Sequence, residues 1–399
     1  MNSADNIESM GNDKIFTRDF AFIWLANFFI FLGFQMTLPT IPIFVNELGG
    51  SDQLIGIIVG IFTFSALLLR PLAGHALESK GRGFVYIFGI VLFIISIGSF
   101  GFISAIGFLI VMRIVQGIGW GFSTTASGTI ATDLIPPKRR GEGMGYFGLS
   151  GNLALAFGPA LGLTLVGVLT FSQLFLICSA LGVLTLLLAL NIRYKKVEES
   201  PHKTRPARFD VIEKTAINPS IILFFITLTF GGIASFLPLY AAEKSVGGIQ
   251  FYFIVYAAFL MLSRIFAGRL YDRKGDLYVI PPGAILIFAA MLLLSWLPNT
   301  TTMLVAGALY GFGFGTVQPA LQAWAVDKAE GNRKGMANAT FFSFFDLGVG
   351  IGSILFGQLA FVYGYGIIYI VSAGSVVLSL LYYIFLIATG RRKARADGR

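Results

Sequence analysis

Two charged residues sit where this chain is otherwise most apolar. Arg113 interrupts "AIGFLIVMRIVQGIGWGF", and Asp346 interrupts "FFSFFDLGVGIGSILF". A carboxyl in apolar surroundings favours its neutral form, and a nearby cation favours the charged one. A carboxyl under both influences can take up a proton on one side of a barrier and release it on the other. Asp346 is therefore the candidate proton carrier. Eleven residues from a helix start near 335 place it about 17 Å in, close to mid-membrane depth. Arg113 lies about 10 Å below the opposite boundary, where a cation costs at least ~2.5 kcal/mol and is functional or paired. The structural alternatives are an arginine bonded to carbonyls of the first helix, and an aspartate that ties helices together.

The elements that position these residues follow from composition. The chain of 399 residues is 56% hydrophobic and only 12% charged, about half the charge of a soluble domain. Runs of about 20 apolar residues cross the hydrocarbon layer, and they recur at 18–45, 52–74, 84–103, 106–134, 142–168, 171–192, 217–241, 249–271, 277–297, 301–326, 335–361 and 364–389. Lipid offers a bare backbone no hydrogen bonds, so each run is expected to be a helix. The fold class is all-α and polytopic, with twelve transmembrane helices.

Net charge is +9, and its placement decides what it means. Counted from a cytoplasmic N-terminus, every lysine and arginine except Lys244 and Arg113 falls on the cytoplasmic side. That bias predicts a multi-pass protein with both termini in the cytoplasm. It argues against a nucleic-acid partner, which needs a contiguous solvated basic face. His75, His202 and Cys178 are too few and too scattered for a metal site or an internal disulfide. No GxxxxGK[ST] motif is present, so neither a nucleotide nor another cofactor is implied. Nothing points to an enzyme. The acidic residues Asp5, Glu8 and Asp13 precede the first run, which reads as a retained helix.

The second half repeats the first. Arg70, Gly74, Glu78 and Gly81 match Arg264, Gly268, Asp272 and Gly275, and Asp133 and Arg139 match Asp327 and Arg333, all at an offset of 194. The expected organisation is a tail (1–17), a six-helix bundle (18–192), a cytoplasmic linker (193–216) holding Pro201 and Pro206, a second bundle (217–389) and a basic tail (390–399). Parallel six-helix repeats about a mid-membrane site are the design of secondary transporters.

Three motifs resemble those of the major facilitator superfamily, and within it the twelve-helix drug:proton antiporters, over about residues 18–390. The loop pattern G-x-L-A-D-R-x-G-R-R is met by Gly74, Glu78, Gly81 and Arg82, with Ser79 and Gly83 where the family has cations. Leu109, Arg113, Gln116, Gly117 and Gly119 meet the fourth-helix pattern L-x3-R-x2-Q-G-x-G. Gly145, Gly158, Pro159 and Gly162 meet the fifth-helix antiporter signature, with Ala154 and Leu163 where glycines are usual.

The resemblance implies a cytoplasmic latch at Gly74, Glu78, Gly81, Arg82 and Asp133 and, in the second half, at Gly268, Asp272, Arg273 and Gly275. Gly74 and Gly268 would admit a neighbouring helix closely, and Arg82 would hold Glu78 and Asp133. It also implies a proton-coupling role for Arg113, and a bend at Gly158–Pro159 that breaks the fifth helix and marks exporters. Asn27, Gln35, Gln116, Asn152 and Gln318, with Phe342 and Phe345, are the candidate cavity residues. They imply a greasy cavity with few polar points, suited to lipophilic molecules.

The expected function is a plasma-membrane, proton-coupled antiporter that exports small lipophilic or amphipathic compounds by alternating access. Its partners are the substrate, protons and the bilayer, and one chain, as a monomer, holds the whole device. The alternatives are a proton-coupled symporter that imports a small metabolite and a membrane sensor that no longer transports.

Overall fold

The computed structural model describes residues 14–102, 105–136, 139–195, 212–327, 329 and 334–396, with backbone alone at 78, 140–141, 265–266, 268–269, 272, 334–335 and 390–396. Among the described residues the elements are α-helices and short 3-10 turns. The first six are α1 (Arg18–Glu47), α2 (Asp52–Ser79), α3 (Arg82–Phe100), α4 (Ile106–Leu134), α5 (Arg140–Val166) and α6 (Phe171–Leu190). The second six are α7 (Ile217–Glu243), α8 (Ile249–Lys274), α9 (Ile280–Trp296), α10 (Thr300–Asp327), α11 (Lys334–Tyr363) and α12 (Gly366–Ala396). Among the described residues eleven helices are long and apolar enough to cross a membrane, and α8 adds a shorter apolar stretch, Ile249–Arg264. The chain is an all-helical, multi-pass membrane protein.

Local chemistry sets the helix ends. Gly81, before α3, has φ 91°, and Gly275, after α8, has φ 84°. Side chains rarely adopt such angles, so these repeat-related positions require glycine. Thr170 and Gln173 close the start of α6 with a reciprocal capping box. Within helices, hydroxyls bond back to their own carbonyls, as in Thr124 to Trp120 at 2.7 Å and Ser353 to Val349 at 2.9 Å.

Two compact units result, and they do not follow the sequence halves. One comprises Met1–Thr40 and Phe64–Thr204, the other Ile41–Thr63 and Arg205–Arg399. The start of α2 groups with α11 because small residues let the backbones meet. A side chain on Gly56 would strike the Ser353 carbonyl, and one on Gly357 the Asp52 carbonyl. Gln53 donates to Gln358 at 2.8 Å, and Tyr365 donates to Asp52 at 2.7 Å.

In the first unit α3 packs on α4 and α6. Thr185 of α6 donates to the Ala26 carbonyl of α1 at 3.2 Å. In the second, α7 is the central post, buried without interruption from Ile226 to Ala241 and packed on α10, α11 and α12. That post presents Phe230 to the face of α11 that carries Asp346.

One expectation needs correcting. Gly158–Pro159 does not break the fifth helix, because α5 runs continuously through Pro159. A proline removes one backbone donor, and packing by neighbours makes that loss tolerable in a membrane helix.

Candidate functional site

The first unit holds two buried polar groupings. Asn27 of α1 donates to Ser150 of α5 at 2.8 Å and accepts from Ser127 of α4 at 3.2 Å. This expected cavity residue therefore ties three helices. Arg113 is 1% exposed and donates to Gln116, one turn along α4, at 2.6 Å. Trp120, one turn further, packs its ring against Phe31 (4.6 Å between centroids) and Phe34 (4.3 Å) of α1. Gln35 Oε1 and Gln116 Nε2 are buried without a hydrogen-bond partner among the described residues. Each such atom costs about 1–3 kcal/mol unless water or a ligand meets it.

The antiporter-signature glycines divide into two kinds. A side chain on Gly158 would overlap Gln35, and one on Gly162 would overlap the Met36 carbonyl, so α5 lies directly on α1 there. Around Gly145, by contrast, no atom of the described residues lies within 4 Å of where a side chain would begin. Asn152, also on α5, is half-buried.

The second unit carries the aromatic and carboxylate chemistry. Asn338, Phe342, Phe345 and Asp346 have the spacing of one face of α11; all four are half-buried. Phe345 lies 6.4 Å from Phe342, 6.3 Å from Phe314 of α10 and 6.5 Å from Phe230 of α7. Phe230 and Phe314 stack at 6.0 Å. Gln318, one turn beyond Phe314, accepts from Arg264 of α8 at 3.3 Å and donates to Gln322 at 3.2 Å. Gln322 donates to Asn338 at 2.8 Å.

At the basic-loop end, Arg82 Nε donates to Asp133 Oδ2 at 3.0 Å, and Arg82 Nη1 donates to the Leu77 carbonyl at 3.3 Å. The pair joins the start of α3 to the end of α4, as the motif implies. The side chains of Glu78 and Asp272, and the surroundings of Gly268, lie outside the described residues. Arg273 is exposed. A side chain on Gly74 would meet nothing within 4 Å, so the close helix approach expected there is not found among the described residues.

Gly83, where the family has a cation, lies under Tyr194, and a side chain there would meet that ring at 2.8 Å. Tyr194 donates to the Ala189 carbonyl at 2.5 Å, and burial pushes its phenol above the usual range. The missing cation is thus replaced by packing against a half-buried aromatic residue.

A family profile described as Major Facilitator Superfamily matches residues 23–334 and 220–399. The chain belongs to the Major Facilitator Superfamily. An uncharacterized MFS-type transporter of Methanocaldococcus jannaschii is 28% identical over 379 residues, covering 91% of this chain and 96% of its own. The quinolone resistance protein NorA of Staphylococcus aureus is 22% identical over 370 residues, covering 89% and 94%. Among solved structures, the nucleoside transporter NupG (D323A mutant) superposes with a TM-score of 0.75 at 14% identity, over 92% of this chain and 99% of that one. The protein is a transporter of the superfamily.

Sequence reading missed Trp120, Phe31, Phe34, Phe230, Phe314, Gln322 and Asn338, and it noted Arg264 only as a repeat position. A signal was available for some of them. Phe314, Gln318 and Gln322 recur at every fourth position of one helix, and Asn338 stands four before Phe342.

Proposed function

We propose that this transporter is a proton-coupled antiporter that exports small amphipathic or lipophilic compounds across the plasma membrane, with both termini in the cytoplasm. One observation carries the reading: Asp346 is half-buried on the α11 face that presents Phe342 and Phe345. An apolar, aromatic face with one carboxyl suits a greasy solute and a single proton. A relative named for quinolone resistance supports export. So does the close approach of α5 to α1 at Gly158 and Gly162 in the antiporter signature.

In the proposed cycle Asp346 takes a proton from outside and releases it inside, and substrate leaves between these events. Arg113 and Gln116, hydrogen-bonded to each other, take part in the coupling within the first unit. Arg82–Asp133 stabilises one of the two access states and is remade once per turnover. The chain acts as a monomer.

The test is Asp346→Asn in inside-out vesicles with an imposed pH gradient. The variant is expected to bind a fluorescent substrate with affinity close to wild type and to lose gradient-driven uptake. Wild-type gradient-driven uptake by the variant removes Asp346 from the mechanism.

A further inference from the structure

The second unit contains a continuous run of side-chain hydrogen bonds that proton coupling does not use. It passes from Arg264 of α8 to Gln318 and Gln322 of α10, and then to Asn338 of α11. Arg264 lies ten residues before the end of α8, and Asn338 four residues into α11. At 1.5 Å per residue the run descends from about 15 Å to about 6 Å from the basic-loop ends of these helices. Arg264, Gln322 and Asn338 are half-buried, so the rail has a side that a ligand can reach. The aromatic plate runs alongside it on the deeper side, because Phe314 stands one turn deeper than Gln318 and Phe342 one turn deeper than Asn338.

Charge inside the spans points to what such a rail takes. Seven or more residues from either helix end, the chain carries three arginines, Arg70, Arg113 and Arg264, against one carboxylate, Asp346. Excess cation at that depth is costly in hydrocarbon, and a bound anion offsets it. A guanidinium presents a planar fork of N–H donors that matches a carboxylate or sulfonate.

We propose that Arg264, Gln318 and Gln322 form a head-group subsite for organic anions. The flat apolar body of the substrate lies on Phe314, Phe342 and Phe345. Its carboxylate or sulfonate is held by Arg264 and the neighbouring amide N–H groups. The rail down to Asn338 is its path from the basic-loop mouth. This rests on the export reading and narrows its substrate class to amphipathic anions.

Fluorescein and rhodamine 123 share one fused tricyclic core and carry opposite charges, so they isolate head-group recognition. Their binding is measured by fluorescence polarisation on the full chain in nanodiscs of zwitterionic lipid. Wild type is expected to bind fluorescein at least tenfold more tightly than rhodamine 123. Arg264→Gln weakens fluorescein at least tenfold and leaves rhodamine 123 within twofold. Arg264→Lys, which keeps the charge and loses the fork, falls between. Gln322→Leu and Asn338→Ala weaken fluorescein about threefold, and they test the rail even if Arg264→Gln fails to fold. The proposal is overturned if wild type does not bind fluorescein, if rhodamine 123 binds as tightly, or if fluorescein binding is unchanged in the variants that fold. Binding is read without a gradient, so the two readings fail separately. Selective fluorescein binding with no efflux of either dye sinks export alone, and efflux of rhodamine 123 without fluorescein binding sinks the subsite alone.

Discussion

Gly145 and Gly162 belong to the same fifth-helix signature, yet the structure predicts opposite outcomes when each becomes alanine. A methyl on Gly162 would enter the space of the Met36 carbonyl of α1, while one on Gly145 meets nothing within 4 Å among the described residues. Backbone cannot turn aside as a flexible side chain can, so α1 and α5 must separate at Gly162. Overpacking of a close-packed contact costs about 1–3 kcal/mol. Alanine propensity returns at most ~1 kcal/mol, leaving Gly162→Ala destabilised by about 1–2 kcal/mol. Gly145→Ala gains the propensity term unopposed and is stabilised by up to ~1 kcal/mol. The assay is reversible unfolding in mixed detergent micelles against rising SDS fraction, read by tryptophan fluorescence. Wild-type stability in Gly162→Ala, or destabilisation of Gly145→Ala by 1 kcal/mol or more, refutes the packing argument. Transport separates packing from mechanism, since Gly162→Ala slows turnover at a temperature where it remains folded.

Two further outcomes follow from contacts at the helix ends. Asp133→Asn keeps the shape of the acceptor facing Arg82 and removes its charge; with both partners about one-fifth exposed, the loss is about 1–2 kcal/mol. That shifts the balance of access states about tenfold, measured as slower turnover with unchanged substrate binding, and unchanged turnover in both Asp133→Asn and Arg82→Gln removes the latch. At Tyr365, between α11 and α12, burial first and the Asp52 hydrogen bond second raise the phenol above its ordinary value. The folded chain then keeps a proton that the unfolded one loses, so stability is full below about pH 10 and declines as pH climbs above it. The decline is shallower in Tyr365→Phe, and equal slopes for the two proteins count against this account.

Much of the fold is legible because the bilayer leaves a peptide few choices. Apolar runs near 20 residues have to be helices, and the run read at 106–134 is α4 as observed. The glycines at 81 and 275 are legible for a related reason, since a repeated turn with positive φ admits little else. The site was legible only in part. Asn27 stood out as a polar residue in an apolar run, but its partners Ser150 and Ser127 follow from how helices face one another, whereas Gln116 and Arg113 are neighbours one turn apart on a single helix.

By itself, the sequence determined the class, the twelve helices, the duplicated design and the placement of Asp346 and Arg113 inside apolar runs, because hydropathy, turn chemistry and charge bias are local properties. Only the tertiary structure decided that α2 begins in one compact unit and ends in the other. It also decided that α5 passes unbroken through Pro159, and that Arg264, Gln318, Gln322 and Asn338 form one rail. Those outcomes depend on which helix faces meet and how closely, and on side chains that lie up to 313 positions apart in the chain. Hydropathy along a single helix carries no record of them.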